Sequence, residues 1–314
     1  MTMPAPAVDK LRLIFVPGMK PKPPPSVHRR ALWDALLVGL ERVDQQLATD
    51  FARYSEDFWL VSWTYLFYGV HRNFELDRPG IAALAAKPQP EQADVDEIES
   101  LARRIGRWVR VVGDALPFLS RRLADPDTRL TMAEARRYLT DRAGIGREVR
   151  LMLKNQLADA WADGDAVLLI GHSLGSVIAY DALWELSHEE PEAGQIDLFM
   201  TLGSPLATRF IRRRLQGVAR RGRERYPTIV RRWINCSAKG ELTAIHPALA
   251  PYFREMVRLG LIQSIEDRTG FYNHFRGQRG LNVHKSYGYL MHPEVAGCIA
   301  AWLRSRRAVS PAGA

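Results

Sequence analysis

The sequence predicts an α/β fold: a doubly wound, mainly parallel sheet with helices on both faces. Three observations predict it. Short apolar runs alternate along the chain with helical patterns. Several of those runs are almost continuously apolar, as strands covered on both faces are. One of them stops at Gly-His-Ser-Leu-Gly (Gly171–Gly175) and passes at once into an apolar helix.

The strand-like runs, in order, are "LRLIFVPG" (Leu11–Gly18), "FWLVSWTY" (Phe58–Tyr65), "AVLLIGHS" (Ala166–Ser173), "IDLFMTLGSP" (Ile196–Pro205) and "TIVRRWINCSA" (Thr228–Ala238). Helical patterns lie between them. One spans Val27–Ala48 and another opens at Ser173. A third follows Pro247, with Leu249, Phe253, Met256, Val257 and Leu261 on its apolar side, and a last one covers Glu294–Arg304. The interval from Leu66 to Gly164 is far longer than a simple crossover. It opens with a Pro/Ala-rich link and continues as a helix over about Asp96–Leu123. A capping box, Thr131 to Glu134, starts another helical stretch. A final helix with Val149, Leu153 and Leu157 on one face ends at Asp163-Gly164. Residues 66–148 therefore read as a helical cap or lid inserted into one domain spanning the whole chain. Ile105, Trp108, Val109, Val112, Leu116 and Leu119 share a face of its first helix, suited to packing on the core or to lying in a membrane interface.

A chain of 314 residues can bury a sizeable core, and 46% apolar with 25% charged residues excludes a disordered or membrane-spanning class. Its net charge of +9 rests on arginine, much of it between Arg209 and Arg225. That segment reads first as a solvated surface. It is also a candidate for peripheral contact with an anionic membrane. Without aromatic interleaving or zinc-ligand spacing, nucleic acid ranks last. Cys236 and Cys298 are too few for a disulfide framework or a metal cage, and no cofactor or metal is expected. No apolar segment of signal-peptide or spanning length is found, so the expectation is a cytoplasmic protein, at most peripheral to a membrane.

The glycines around Ser173 have a physical reading. A strand that turns sharply into a helix brings the two elements close together, so Gly171 and Gly175 must lack bulk while the serine is held strained with its hydroxyl above the sheet. A nucleophilic serine needs an imidazole to take its proton, an acid to orient that imidazole, and donors for an oxyanion. The Leu174 N–H is one donor. The loop after the first strand, "FVPGMKPKPPPS", offers Gly18 for close approach and the Met19 N–H as the second. His284 follows the last part of the chain expected near the sheet and is the first choice of base. His292, beside Pro293, reads as a helix boundary, and His274 ranks third. His172 reads as packing in the turn, because neighbours in a strand point to opposite faces. Glu241, just past the strand ending near Ala238, is the first choice of acid and Asp267 the alternative.

The elbow, the chain order Ser173, Glu241, His284, and "TLGSPL" (Thr201–Leu206) resemble the α/β-hydrolase superfamily, within it the lipase- and esterase-like members. The resemblance covers Leu11–Tyr65 and Leu151–Leu303. It departs from the family at Pro17-Gly18, where His-Gly is common, and in having Glu as the acid. It implies a serine hydrolase acting on a hydrophobic acyl ester, small or lipid, through a Ser173-His284-Glu241 triad and an acyl-enzyme. An amidase, peptidase or acyltransferase would use the same residues. A non-catalytic lipid- or partner-binding scaffold is the further alternative.

Overall fold

Each of the five apolar runs contributes a strand in the computed structural model: β1 (Leu11–Val16), β2 (Phe58–Leu60), β3 (Ala166–His172), β4 (Ile196–Leu202) and β5 (Val230–Ala238). The strand expected over Phe58–Tyr65 stops at Leu60, and Thr64 and Tyr65 open a helix instead. The structure describes residues 10–112, 126–190, 194–242 and 244–307. A sixth strand, β6 (Ser264–Phe271), completes a wholly parallel sheet in the order β2-β1-β3-β4-β5-β6. The sequence reading had placed no strand there. "SIEDRTGF" carries no apolar run because this is an edge strand, paired on one side and half-exposed along most of its length.

Alternate residues of the central strands enter two cores. Ile14, Val16, Val167 and Leu169 meet Val149, Leu153 and Leu157 of one helix (Ile145–Ala162) and Val177 and Ile178 of another (Leu174–His188). Leu13, Phe15, Leu168 and Ile170 meet Leu32 and Leu36 of α1 (Pro25–Glu41) and Val295 and Ile299 of the closing helix (Pro293–Arg307). Helices therefore cover both faces, which is why β3 and β4 are apolar almost throughout.

The remaining helices are α2 (Gln45–Phe51), α3 (Thr64–Tyr68), α4 (Arg78–Ala86), α5 (Gln92–Val112) and α6 (Pro126–Leu139); Ile145–Ala162 and Leu174–His188 are α7 and α8; then follow α9 (Arg209–Arg212), α10 (Ala250–Arg258), α11 (Ser286–Leu290) and α12, the closing helix. Three helix readings change. The helix expected over Val27–Ala48 is two helices, because the Asp44 side chain accepts the Leu47 N–H and starts α2 afresh. The long helix begins at Gln92, where Asp94 reaches back to the Glu91 N–H; the part expected beyond Val112, with Leu116 and Leu119, lies outside the described residues. Thr131 starts no helix, since α6 already begins at Pro126, a residue suited to a first turn.

The βα units that follow β1 and β3 set the site. β1 lies between β2 and β3, so the chain winds one way from β1 and the other way from β3. The loops leaving β1 and β3 open at that point of reversal, the usual crevice of open parallel sheets. Val16 is level with Gly171, and His172 with Leu202.

Candidate functional site

Ser173 forms the turn between β3 and α8 with φ 53° and ψ −126°, a conformation that L-residues avoid. The close approach expected of its flanking glycines is present. A Cβ on Gly171 would lie 2.6 Å from Ser176 Cα, and one on Gly175 would lie 2.1 Å from the Val16 carbonyl oxygen. The turn is further tied down by its own neighbours. The Ser173 N–H donates to the Leu202 carbonyl (2.9 Å), Ser176 Oγ donates to the Ser173 carbonyl (2.6 Å), and Ser176 Oγ shares a 2.7 Å hydrogen bond with Ser204 Oγ. Leu174 is the first residue of α8, so its N–H is among those a helix leaves without an internal partner.

The loop after β1 runs beside this turn. Gly18 packs so closely that a Cβ there would stand 2.8 Å from Ser173 Cβ and 3.0 Å from His172 Nδ1. Three hydrogen bonds hold this loop on either side of Gly18-Met19. Trp63 Nε1 donates to the Pro17 carbonyl (2.8 Å), Lys22 Nζ to the Met19 carbonyl (2.8 Å), and the Lys20 N–H to Tyr68 Oη (2.9 Å). Lys20 has φ 72°, a strained value for a residue with a side chain, and the Tyr68 contact holds it there.

Glu241 and His284 meet. Glu241 Oε1 is 2.8 Å from His284 Nδ1, and the carboxylate is buried in spite of its loop position. Tyr289 Oη donates to Glu241 Oε2 (2.6 Å) and accepts the Ala238 N–H (3.0 Å), linking the acid to the end of β5. Burial, and then the Glu241 charge, push the Tyr289 phenol well above its ordinary pKa, so it stays a donor. Gly203 closes the pair from β4. It has φ 54°, and a Cβ there would fall 2.8 Å from Glu241 Oε2 and 3.0 Å from His284 Nδ1. The glycine of "TLGSPL" is thus required twice, by its backbone angle and by what it touches.

His284 is connected to the serine turn through His172. The two rings lie 4.7 Å apart, and His172 Nε2–H donates to the His284 carbonyl (2.8 Å). Burial, followed by the charges of His284 and Lys22, holds His172 well below the usual histidine pKa. It is a neutral ring with a fixed tautomer. The sequence reading of His172 as mere packing missed this link, and it missed Tyr289 altogether. A tyrosine five residues after His284 carries no motif.

The competing residues are engaged elsewhere. Asp267 lies within β6, where its carboxylate accepts from the Leu249 N–H (2.7 Å), the Ala250 N–H (3.0 Å) and Asn235 Nδ2 (2.8 Å), capping α10. His292 Nδ1 accepts the Glu294 N–H (3.2 Å) at the start of α12, the boundary role expected of it. His274 is buried with Nε2 on the Lys87 carbonyl (3.0 Å). Among the described residues, no group of three or more His, Cys, Asp or Glu side chains is placed to hold a metal ion.

The arginine segment after β4 is partly occupied by packing. Arg212 lies over the Tyr252 ring at 4.5 Å and Arg214 over Phe210 at 4.1 Å, while Ile211 and Leu215 are buried. No described helix is long and apolar enough to cross a membrane. No family model, curated protein or solved structure matches the chain.

Proposed function

We propose that this protein is a serine hydrolase of the α/β-hydrolase kind, cleaving a hydrophobic carboxylic ester. One observation carries the reading: a buried Glu241 carboxylate lies 2.8 Å from His284 Nδ1, and His284 is bonded to the residue preceding a strained Ser173. With Nδ1–H given to Glu241, Nε2 is the nitrogen left to accept a proton. In this reading it takes the proton of Ser173 Oγ as the oxygen attacks the acyl carbonyl. The Leu174 and Met19 N–H groups stabilise the oxyanion, and the imidazolium then protonates the leaving alcohol. Water activated by the same histidine releases the acid from the acyl-enzyme.

The insertion is read as a cap. Its helix α5 packs on the loops that leave β5 and β6. Gly240 lies under Ile98 and Leu101, Glu99 bonds Lys239 and Tyr272, and Asp94 holds Arg276. On this reading α5, in contact with Gly240 and Lys239 next to Glu241, serves to restrict entry to the acid–base pair.

The test is a series of p-nitrophenyl esters of rising acyl length beside matching anilides, for wild type and Ser173→Ala. The proposal expects ester turnover that depends on acyl length and vanishes in the alanine variant. Faster cleavage of anilides than of esters would assign the site to an amidase or peptidase. No turnover of either would contradict hydrolysis.

A further inference from the structure

Next to the β1 loop stands a cluster of cations that the reaction does not use. Asp77 is buried and takes Lys285 Nζ on Oδ2 (2.7 Å) and Arg72 Nη2 on Oδ1 (2.9 Å). Lys22 adjoins both. Its backbone carbonyl accepts the Arg72 N–H (2.9 Å), while its ammonium donates to the Met19 carbonyl. Two cations thus pair with one carboxylate, and Lys22 stands beside them. Arg72 Nε is buried with no hydrogen-bond partner among the described residues. Burial, then Lys285, lower the Lys22 pKa to about 7, with Arg72 and Lys20 acting in the same sense and Asp77 against them. The same charges reach the site: Lys22 and Lys285 both act on His172, and on the buried His28 of α1. Lys285 directly follows His284, and Lys22 binds the loop that abuts Ser173.

Arg72 and Lys285 together exceed the single charge of Asp77. Burial makes a further cation so costly that the Lys285 pKa is lowered and Lys22 is held partly neutral near pH 7. A bound anion would return the Lys22 proton and balance the cluster. We propose that Lys22, Arg72 and Lys285 form an anion-recognition subsite beside Ser173, and that the ester cleaved there carries a phosphate or carboxylate group that docks on them. This rests on the hydrolase reading for the identity of the ester, but the anion site itself does not. The cations belong to three separate stretches: the β1 loop, the segment before α4, and the residue after His284. They converge on one place, with Lys22 three residues from Met19 and Lys285 next to His284. Ordinary surface lysines, exposed and apart, do not carry this argument; buried Asp77 and the unpartnered Arg72 Nε do.

The experiment compares matched pairs of soluble esters. Butyryl glycerol phosphate against monobutyryl glycerol puts the anion on the alcohol; the p-nitrophenyl monoester of glutaric acid against p-nitrophenyl valerate puts it on the acyl chain. Charge-assisted hydrogen bonds make the anionic member of at least one pair about 10- to 100-fold better in kcat/KM. Arg72→Gln and Lys285→Gln each reduce that ratio towards one. The ratio is the readout, so a defect common to both esters cancels. The favoured pair tells which end of the ester bears the anion. A parallel arm needs no turnover: inorganic phosphate raises the Tm of the wild-type protein and slows fluorophosphonate labelling, and both effects shrink in Lys285→Gln. Ratios near one in both pairs, with no phosphate effect, overturn the subsite and leave the hydrolase standing. No turnover of any ester with the phosphate-induced Tm rise intact overturns the hydrolase and leaves the anion site. A preference for an anionic ester that survives both substitutions overturns the assignment to these residues.

Discussion

Glu241 and Asp267 are both acids close to a strand end, and the difference between them lies in what their oxygens hold. Glu241 holds His284 and Tyr289, whereas Asp267 holds the first N–H groups of α10. Glu241→Gln is therefore expected to lower kcat by about 100- to 10,000-fold with the fold retained, since the imidazole loses its orienting carboxylate. Asp267→Asn should leave kcat within a few-fold but destabilise the protein by about 1 kcal/mol through the α10 cap. Steady-state kinetics with thermal denaturation of both variants checks the ranking, and the reverse ranking would move the acid to Asp267. Tyr289→Phe removes the hydroxyl that links Glu241 to the Ala238 N–H. It is expected to lower kcat about tenfold with KM little changed, as for a residue positioning the acid; a rise in KM at constant kcat would assign it to substrate binding instead. Chain order and strand ends made Glu241 and His284 legible. Tyr289, His172 and Lys22 act through contacts distant in sequence, which no local pattern records.

At the scale of elements, apolar continuity identified β1 to β5 because two-sided burial leaves a run that can be read. β6 escaped for the opposite reason, and with it the placement of Asp267. Helix lengths failed where a polar side chain restarts the chain, as Asp44 does between α1 and α2. The β3–α8 turn was legible because its glycines answer a packing demand. That demand has a test in Gly175→Ala, whose added methyl would meet the Val16 carbonyl at 2.1 Å and part β1 from α8. Overpacking of this kind costs about 1–3 kcal/mol, more where backbone must move. A clear fall in Tm is expected, together with lost labelling of Ser173 in the folded fraction. An unchanged Tm would mean that the two elements are less tightly apposed than described.

Across the whole molecule, one buried network ties α6 to the sheet-covering helices α7 and α8. Tyr138 of α6 donates to Asp181 of α8 (2.9 Å), the Gln216 N–H donates to the same carboxyl (2.9 Å), and Arg150 of α7 pairs with Glu185 (2.6 Å). Burial raises the Asp181 pKa to about 7 in spite of these donors. The unfolded chain releases that proton near pH 4, so between about pH 4 and pH 7 the folded state holds the extra proton. This group's contribution to stability is present at low pH and is lost as pH rises through about 7. Asp181→Asn removes the charge; its Oδ1 still accepts the Gln216 N–H, while Tyr138 must turn its hydroxyl to accept from Nδ2. The comparison is therefore of slopes: its Tm should gain on the wild type from pH 5 to pH 8. Parallel curves would contradict the assignment. The central claim, that Ser173 is a nucleophile activated by His284, is tested most directly by intact-mass and peptide mapping after treatment with a fluorophosphonate. The account predicts a single adduct on the Ser173 peptide in the wild type, almost none in His284→Ala, and none in Ser173→Ala. An adduct of equal yield in Ser173→Ala, or no adduct on a folded wild-type protein, would contradict it.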